Sequence, residues 1–237
     1  MNFSKNLMLK SALVATMTLL GGLLLTSCMS DLEAPQLPPA AYVSIYQGSP
    51  DAPALDIFAN ANRVTNMPLN YSEVLAYSAF YPGNRTFRIA PYNSATSLVE
   101  KQFPLVADSV YSFFVVQEGA AVNALLAEDV WTEPATNSIQ LRLVNLSPDA
   151  GELSLQVGNA ATDVVTGVDF KEVTDFKDLP SGNTTLRIKS ATGTTLLTSG
   201  TLDLRSKRIY TLIVRGKKSE TSGDKKLDIQ LITNFIY

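Results

Sequence analysis

Histidine is missing from all 237 residues, and cysteine and tryptophan occur once each. Without His there is no Ser-His-Asp triad, no Cys-His pair and no imidazole-ligated metal. A single Cys excludes a disulfide within the chain. Positive charge is also scarce, with 19 Lys and Arg against 22 Asp and Glu. Setting aside residues 1–27, which hold Lys5 and Lys10, leaves 17 basic and 22 acidic residues and a net charge of −5. Nucleic acid is therefore not an expected partner, because its binding is driven by basic surface that neutralises phosphates. Neither a D-x-D-x-D-G calcium loop nor a Gly-rich phosphate loop occurs. No metal and no cofactor is expected.

The chain begins with a leader. Lys5 and Lys10 give residues 1–27 a positive start, and Ser11–Leu25 is mostly apolar. That stretch is short for a membrane span, which needs about 20 apolar residues. It ends in Leu25-Thr26-Ser27-Cys28. These residues resemble the lipobox of bacterial lipoproteins, in which a Leu and two small residues precede a lipidated Cys. The resemblance implies cleavage before Cys28 and two or three acyl chains on it, enough to anchor a protein where one chain binds only marginally. The membrane is thus the first expected partner, reached through Cys28. Residues 28–39 hold Pro35, Pro38 and Pro39 and no periodicity. They read as an extended tether of about 3 Å per residue and about 30 Å in all. Asp31 and Glu33 resemble the acidic export tag of some Gram-negative lipoproteins. That implies an outer-membrane lipoprotein displayed on the cell surface, with an inward-facing position as the alternative.

From Ala41 the apolar period becomes two. Val43 and Ile45 alternate with Ser44 and Tyr46, and Leu55, Ile57 and Ala59 with Asp56, Phe58 and Asn60. Between them Ser49-Pro50-Asp51-Ala52-Pro53 reads as a turn, since Pro presets φ and Asp can close it by accepting nearby backbone N–H groups. Further strands are expected over 75–81, 85–90, 97–106, 111–117 and 122–127, divided by Pro82-Gly83-Asn84, Pro91-Tyr92-Asn93, Ala107-Asp108-Ser109 and Gly119. At most, residues 71–77 form one helical turn. The pattern then returns. Ser147-Pro148-Asp149-Ala150 answers Ser49-Pro50-Asp51-Ala52 at an offset of 98, and Ile209-Tyr210 answers Val110-Tyr111 at 99. The chain is a duplication, with a first repeat over 40–131 and a second over 138–237, joined by a linker at 131–137. Short strands with turns about every 8–12 residues, roughly seven to a half, predict an all-β protein of two tandem immunoglobulin-like antiparallel sandwiches.

Val43-Ser44-Ile45 leading into Ser49-Pro50-Asp51-Ala52-Pro53-Ala54-Leu55-Asp56-Ile57-Phe58, followed by Tyr71 and by Pro82-Gly83 before Phe87-Arg88-Ile89, resembles the bacterial family of domains of unknown function numbered 4397. The resemblance covers everything after the tether and is stronger in the first repeat. It implies secreted proteins or lipoproteins with tandem copies, and it carries no catalytic residues. The chain departs from the family pattern at Gln47-Gly48, where members often have His, and at Gly151-Glu152, where the second Pro is lost.

The recurring Ser49, Pro50, Asp51 and Ser147, Pro148, Asp149 are read as structural turns rather than ligand contacts. Tyr111 and Tyr210 resemble the tyrosine corner of immunoglobulin-like sandwiches, in which the hydroxyl bonds back to upstream backbone. Paired carboxylates could hydrolyse glycosides without His. The candidates Asp56, Glu73, Glu100, Glu128, Asp129 and Glu172 fall on different strands in no motif, and most read as solvated. The loop 217–226, rich in Lys, reads as a mobile polar tip whose charges discourage edge pairing. Tyr46, Phe58, Tyr81, Tyr92 and Trp131 are the aromatic leads for sugar or protein binding, with Trp131 also placed to wedge the repeats together. The expected role is non-catalytic: binding, adhesion or envelope scaffolding, with a glycan or a surface protein as partner. The alternatives are a carboxylate-dependent glycan enzyme and an accessory subunit of an outer-membrane complex.

Overall fold

The computed structural model describes residues 38–237, all of them strand, turn or irregular backbone, with no helix among them. The leader, Cys28 and nearly all of the tether lie outside the described residues. Pro39–Tyr237 forms one compact unit.

The first repeat contributes β1 (Ala41–Gln47), β2 (Leu55–Ala59), β3 (Asn62–Arg63), β4 (Val74–Phe80), β5 (Gly83–Pro91), β6 (Val99–Leu105), β7 (Val110–Glu118) and β8 (Ala121–Glu128). They form two sheets, β3-β2-β5-β6 and β4-β1-β7-β8. The second repeat contributes β9 (Ser138–Asn145), β10 (Leu153–Val157), β11 (Val165–Val168), β12 (Lys177–Pro180), β13 (Gly182–Thr184), β14 (Leu186–Ser190), β15 (Thr195–Thr198), β16 (Leu202–Leu204), β17 (Arg208–Arg215) and β18 (Asp228–Ile236). Its sheets are β11-β10-β14-β15 and β12-β9-β17-β18, plus a β13-β16 pair. The long β5 and β6 of the first repeat thus reappear as the broken runs β13–β14 and β15–β16. The expected all-β, two-sandwich architecture is what the structure shows. Most pairing is antiparallel, and each repeat adds one parallel pair, β1 with β7 and β9 with β17. Residues 71–77 are not helical. Tyr71 and Ser72 make a turn, with Ser72 at φ 63°, and β4 begins at Val74.

Three apolar cores separate four stacked sheets. Leu55, Ile57, Phe87 and Ile89 meet Val43, Ile45 and Phe113 in the first sandwich. Leu141, Leu143 and Leu212 meet Leu153, Leu155 and Ile188 in the second. The third core lies between the repeats, where Tyr46, Phe114 and Val116 of the β4-β1-β7-β8 sheet meet Val144, Leu146 and Ile213 of the β12-β9-β17-β18 sheet. The two inner sheets are therefore covered on both faces, which makes β7 and β17 buried almost throughout. Each fully buried Val, Leu, Ile or Phe side chain contributes about 1.5–3 kcal/mol. The third core is therefore a substantial adhesive between the halves.

The duplication survives in the packing. Ser72 N–H donates to Gln47 O and Gln47 N–H to Glu73 O; Lys171 N–H donates to Asn145 O and Asn145 N–H to Glu172 O. Near the centre of this pseudo-two-fold arrangement Gly48 meets Leu146, its own counterpart. A Cβ on Gly48 would lie 2.6 Å from Leu146 Cδ1 and 2.9 Å from the Val115 carbonyl oxygen. One copy must be small where the two lines of descent touch.

A polar knot crosses the same interface. Arg142 of β9 is 1% exposed, yet its charge is opposed by Asp129 just after β8, with Nη1 2.7 Å from Oδ1. That approach is off the N–H axis, so Oδ1 receives no well-formed hydrogen bond. Asp129 Oδ2 instead accepts from Tyr77 Oη at 2.6 Å and from Ser112 Oγ at 2.7 Å. Arg142 donates to Ser112 Oγ and Thr211 Oγ1, and its guanidinium lies 4.5 Å from the Phe176 ring centre. Asn234 closes the circuit by donating to Tyr77 Oη and accepting from Thr211. A charge buried this deeply persists only when it is paired and hydrogen-bonded.

Candidate functional site

The two Ser-Pro-Asp turns sit at one end of the stack, beyond the final residues of β1 and β9. Their closure is not the work of the aspartates. Ser49 N–H donates to the Gln47 side chain at 2.6 Å, and Ser147 N–H to the Asn145 side chain at 3.1 Å. Ala52 N–H reaches Ser49 O across the first turn at 3.4 Å, and Ser49 Oγ donates to Gln117. This leaves both aspartates free to reach across the molecule, and both reach the same loop. Asp51 accepts from Lys217 and, at 3.2 Å, from Lys225. Asp149 accepts the backbone N–H groups of Lys218 at 2.6 Å and Ser219 at 2.9 Å, with only Ser147 Oγ as a local donor. The β17–β18 loop, expected to stand free as a mobile tip, is instead strapped over both motif turns.

The lysine bonds, Lys217 first, hold the Asp51 carboxyl below its ordinary range, and the same contact raises Lys217. For Asp149 the desolvation works upward, and the donors from Ser219 and Lys218 outweigh it, so its carboxyl also lies low.

Under the strap lies a cleft of about 530 Å³ between the repeats. The first repeat lines it with Pro50, Ala52, Ala54, Asn70, Tyr71 and Ser72; the second with Arg215, Asp228 and loop residues 223–226. It is walled by a difference between the repeats: the β7–β8 hairpin turns at Glu118-Gly119-Ala120-Ala121, whereas β17 and β18 are joined by residues 216–227. Arg215 is fixed by Asp228 at 2.9 Å and lies with its guanidinium carbon 5.4 Å from the Tyr71 ring centre. Two buried atoms in this wall, Tyr71 Oη and Arg215 Nε, have no hydrogen-bond partner. The two groups approach each other closely enough to interact as a weak, poorly aligned contact first and by charge second, but the angles fall short of a well-formed hydrogen bond. Burial pushes the Tyr71 hydroxyl up from its ordinary value against the opposing pull of Arg215. At Arg215 burial works against the charge, and Tyr71, Tyr46 and Asp228 outweigh it.

The other residues singled out by sequence scatter. Tyr111 Oη accepts the Val106 N–H and Tyr210 Oη the Arg205 N–H, both at 3.1 Å and five residues upstream. Asp56 is tied to Arg63, Thr65 and Asn93; Glu73 caps Asn70, Glu172 caps Asp169, and Glu100 accepts from Ser97. Glu128 is exposed, and Asp129 belongs to the buried knot. The carboxylates are not brought together. Among the aromatics, Tyr46 is buried and donates to Gln230, while Phe58 lies 3.6 Å beneath the Arg88 guanidinium. Trp131 packs between Tyr77, Phe176 and Phe235, so it joins the repeats. Tyr81 and Tyr92 remain exposed. Among the described residues no group of three or more Cys, Asp or Glu side chains is placed to hold a metal ion.

The profile of the family described as "Domain of unknown function (DUF4397)" matches residues 41–156 and 154–235. The first match runs through β9 into β10, so the two overlap inside the second sandwich. No curated protein matches the sequence. Among solved structures, a DUF3823 family protein from Bacteroides ovatus is 8% identical, covering 70% of this chain and 100% of its own, at a TM-score of 0.21. A family 26 carbohydrate-binding module from Eubacterium rectale Amy13K, solved with maltoheptaose, is 11% identical, covering 81% of this chain and 96% of its own, at 0.25. Likenesses at these scores carry no argument about this chain.

Proposed function

We propose, from the premise that the chain belongs to the DUF4397 family, that it is a non-catalytic binding module whose recognition element is the cleft between its repeats. The observation that carries this reading is the pair of buried, unpartnered groups in the cleft wall, Tyr71 Oη and Arg215 Nε. A buried polar atom without a partner costs about 1–3 kcal/mol, and native proteins keep few of them. A ligand oxygen that parts the two side chains on entering the wall of the cleft would satisfy both and recover that cost. The straps from Asp51 and Asp149 hold the loop wall in place beforehand, which lowers the ordering cost of binding. The ligand class is an oxygen-rich one, a glycan or a polar segment of a surface protein.

The sequence supports an outer-membrane lipoprotein anchored at Cys28 and facing outward. β1 runs from Ala41, where the described chain enters, to the motif turn after Gln47, so the cleft lies at the opposite end of the stack from that entry. The test is a glycan and protein binding screen with residues 39–237, the compact unit that contains all three cores. The reading expects a hit that Tyr71→Phe and Arg215→Ala both weaken. A hit that neither substitution weakens removes the cleft as its site.

A further inference from the structure

We infer that the end of the stack opposite the cleft is a membrane-seating surface, which docks the protein on the bilayer that holds its anchor. The inference rests on the Cys28 anchor proposed above. At this end the chain enters at residues 38–41, β7 and β17 begin, and β8 and β18 finish. Seven large apolar or aromatic side chains stand exposed here: Val130 at 73%, Tyr81 at 67%, Val106 at 60%, Ile236 at 56%, Tyr237 at 48%, and Tyr42 and Phe235 at 45% each. Scattered singly such residues need no explanation; gathered at one end they do.

Their neighbours hold them together. Tyr42 N–H donates to Ser109 O, and Ser109 N–H to Val106 O. Asp129 N–H donates to the carbonyl of Val110, the register partner of Tyr42, and so places Val130 beside them. Phe235 stacks on Trp131 at 6.0 Å, and the Tyr237 ring lies 4.9 Å from Phe235. Tyr and Trp, apolar bodies with a polar tip, favour the bilayer–water boundary. Lys207 and Glu133 are paired with each other at 2.6 Å, while Asp108 and Glu128 stand exposed at the same rim and Arg208 faces Ile236 across β17 and β18, so charges of both signs border the patch, as zwitterionic headgroups require.

The occupant is indicated by where the rest of the chain attaches. Cys28 lies only ten residues before Pro38, so a lipid there holds this end within about 30 Å of the bilayer. Over such a reach even a weak surface contact operates at an effective concentration of order mM. The same tether cannot bring the distal cleft to the membrane while this end remains docked.

The test uses the only thiol and the only Trp of the chain. Residues 28–237 are coupled through Cys28 to a maleimide phospholipid in phosphatidylcholine vesicles with brominated acyl chains, which makes the measurement independent of native lipidation. The inference expects Trp131 emission to be quenched and shifted to the blue relative to free 39–237. It also expects Val130→Asp combined with Ile236→Asp to abolish that quenching while leaving the thermal midpoint unchanged, since both side chains are exposed. Unquenched Trp131 in the coupled parent, or quenching that persists in the double variant, overturns it. So does a concentration-dependent dimer of free 39–237 that the same double variant dissolves, since the partner would then be a second copy. Failure of the anchor itself is read separately, by fractionating cells that carry Cys28→Ala.

Discussion

Replacing Asp129 by Asn should destabilise the whole protein although the site lies far from the cleft. The substitution keeps the shape and leaves the Arg142 guanidinium, 1% exposed, with Ser112 and Thr211 but no opposing charge. Breaking a buried pair by removing one partner costs about 3–5 kcal/mol. For a domain of this size that corresponds to a thermal midpoint lower by about 6–20 °C. Removing both charges with Asp129→Leu and Arg142→Met should cost less than the single change, about 1–3 kcal/mol. The residual cost is that Tyr77 and Ser112 lose the carboxylate that accepts their hydroxyls. The assay is thermal and denaturant unfolding of 39–237 for the parent, Asp129→Asn, the singles Asp129→Leu and Arg142→Met, and their double, followed by Trp131 emission, which reports the interface directly. Single and double effects that add within about 0.5 kcal/mol would show that the two side chains do not act as a pair. An Asp129→Asn midpoint within about 2 °C of the parent would refute the burial argument itself.

Gly48→Ala should cost about 1–3 kcal/mol by overpacking; Leu146→Ala in that background should recover only part of it by calorimetry, because the Val115 carbonyl stays 2.9 Å away. Tyr71→Phe should hold or raise the melting midpoint by removing an unpartnered buried hydroxyl, while weakening whatever the cleft binds; a fall in midpoint would mean the hydroxyl is satisfied. The strap between Asp51 and Lys217 should depend on pH. The Asp51 carboxyl is lowered on folding, so its contribution is present above its unfolded value near 4 and is lost as pH falls through the folded value. Lys217 is raised, so its share is complete below its unfolded value near 10.4 and is lost above the folded one. Limited proteolysis within residues 217–226 should accordingly be slow between about pH 4 and pH 10 and faster below, and Asp51→Asn combined with Asp149→Asn should be cut quickly throughout; equal cutting of parent and double variant at pH 7 would rule out the strap. Cys28→Ala should leave the membrane fraction without unfolding, and retention in that fraction would refute the lipid anchor.

The strands and the duplication were legible because they depend on local pattern. Alternation in 43–46 and 55–59, Pro and Gly at turns, and recurrence at an offset of 98 or 99 all survive projection onto one dimension. Contact between the repeats did not survive it as well. Ser44 and Tyr46 occupy the polar phase of β1 and read as solvent-facing, yet both are buried, because the second repeat covers that face. Arg142, lying between Leu141 and Leu143, is buried for the same reason. One signal was present: Phe113-Phe114-Val115-Val116 and Leu212-Ile213-Val214 are apolar without alternation, the mark of strands buried on both sides. The strap was illegible for another reason. Asp51 and Lys217 are 166 residues apart, and a turn aspartate has a sufficient local explanation in capping its own loop, a role that the side chains of Gln47 and Asn145 take here. The cleft depends on a loop longer than its counterpart, a difference visible in the sequence but silent about what it covers.

The parallel pairing of β1 with β7 has a mechanical side. A tension applied between the entry of the chain at Ala41 and an object held in the cleft runs lengthwise along β1, and pulls it past β7 and β4 rather than peeling it away. Hydrogen bonds loaded in that direction share the force and fail together, so β1 acts as a cable gripped along its length. Six residue pairs with β7 and five with β4 hold it. A fold of marginal thermodynamic stability can thus resist a steady pull along this one axis far better than across it.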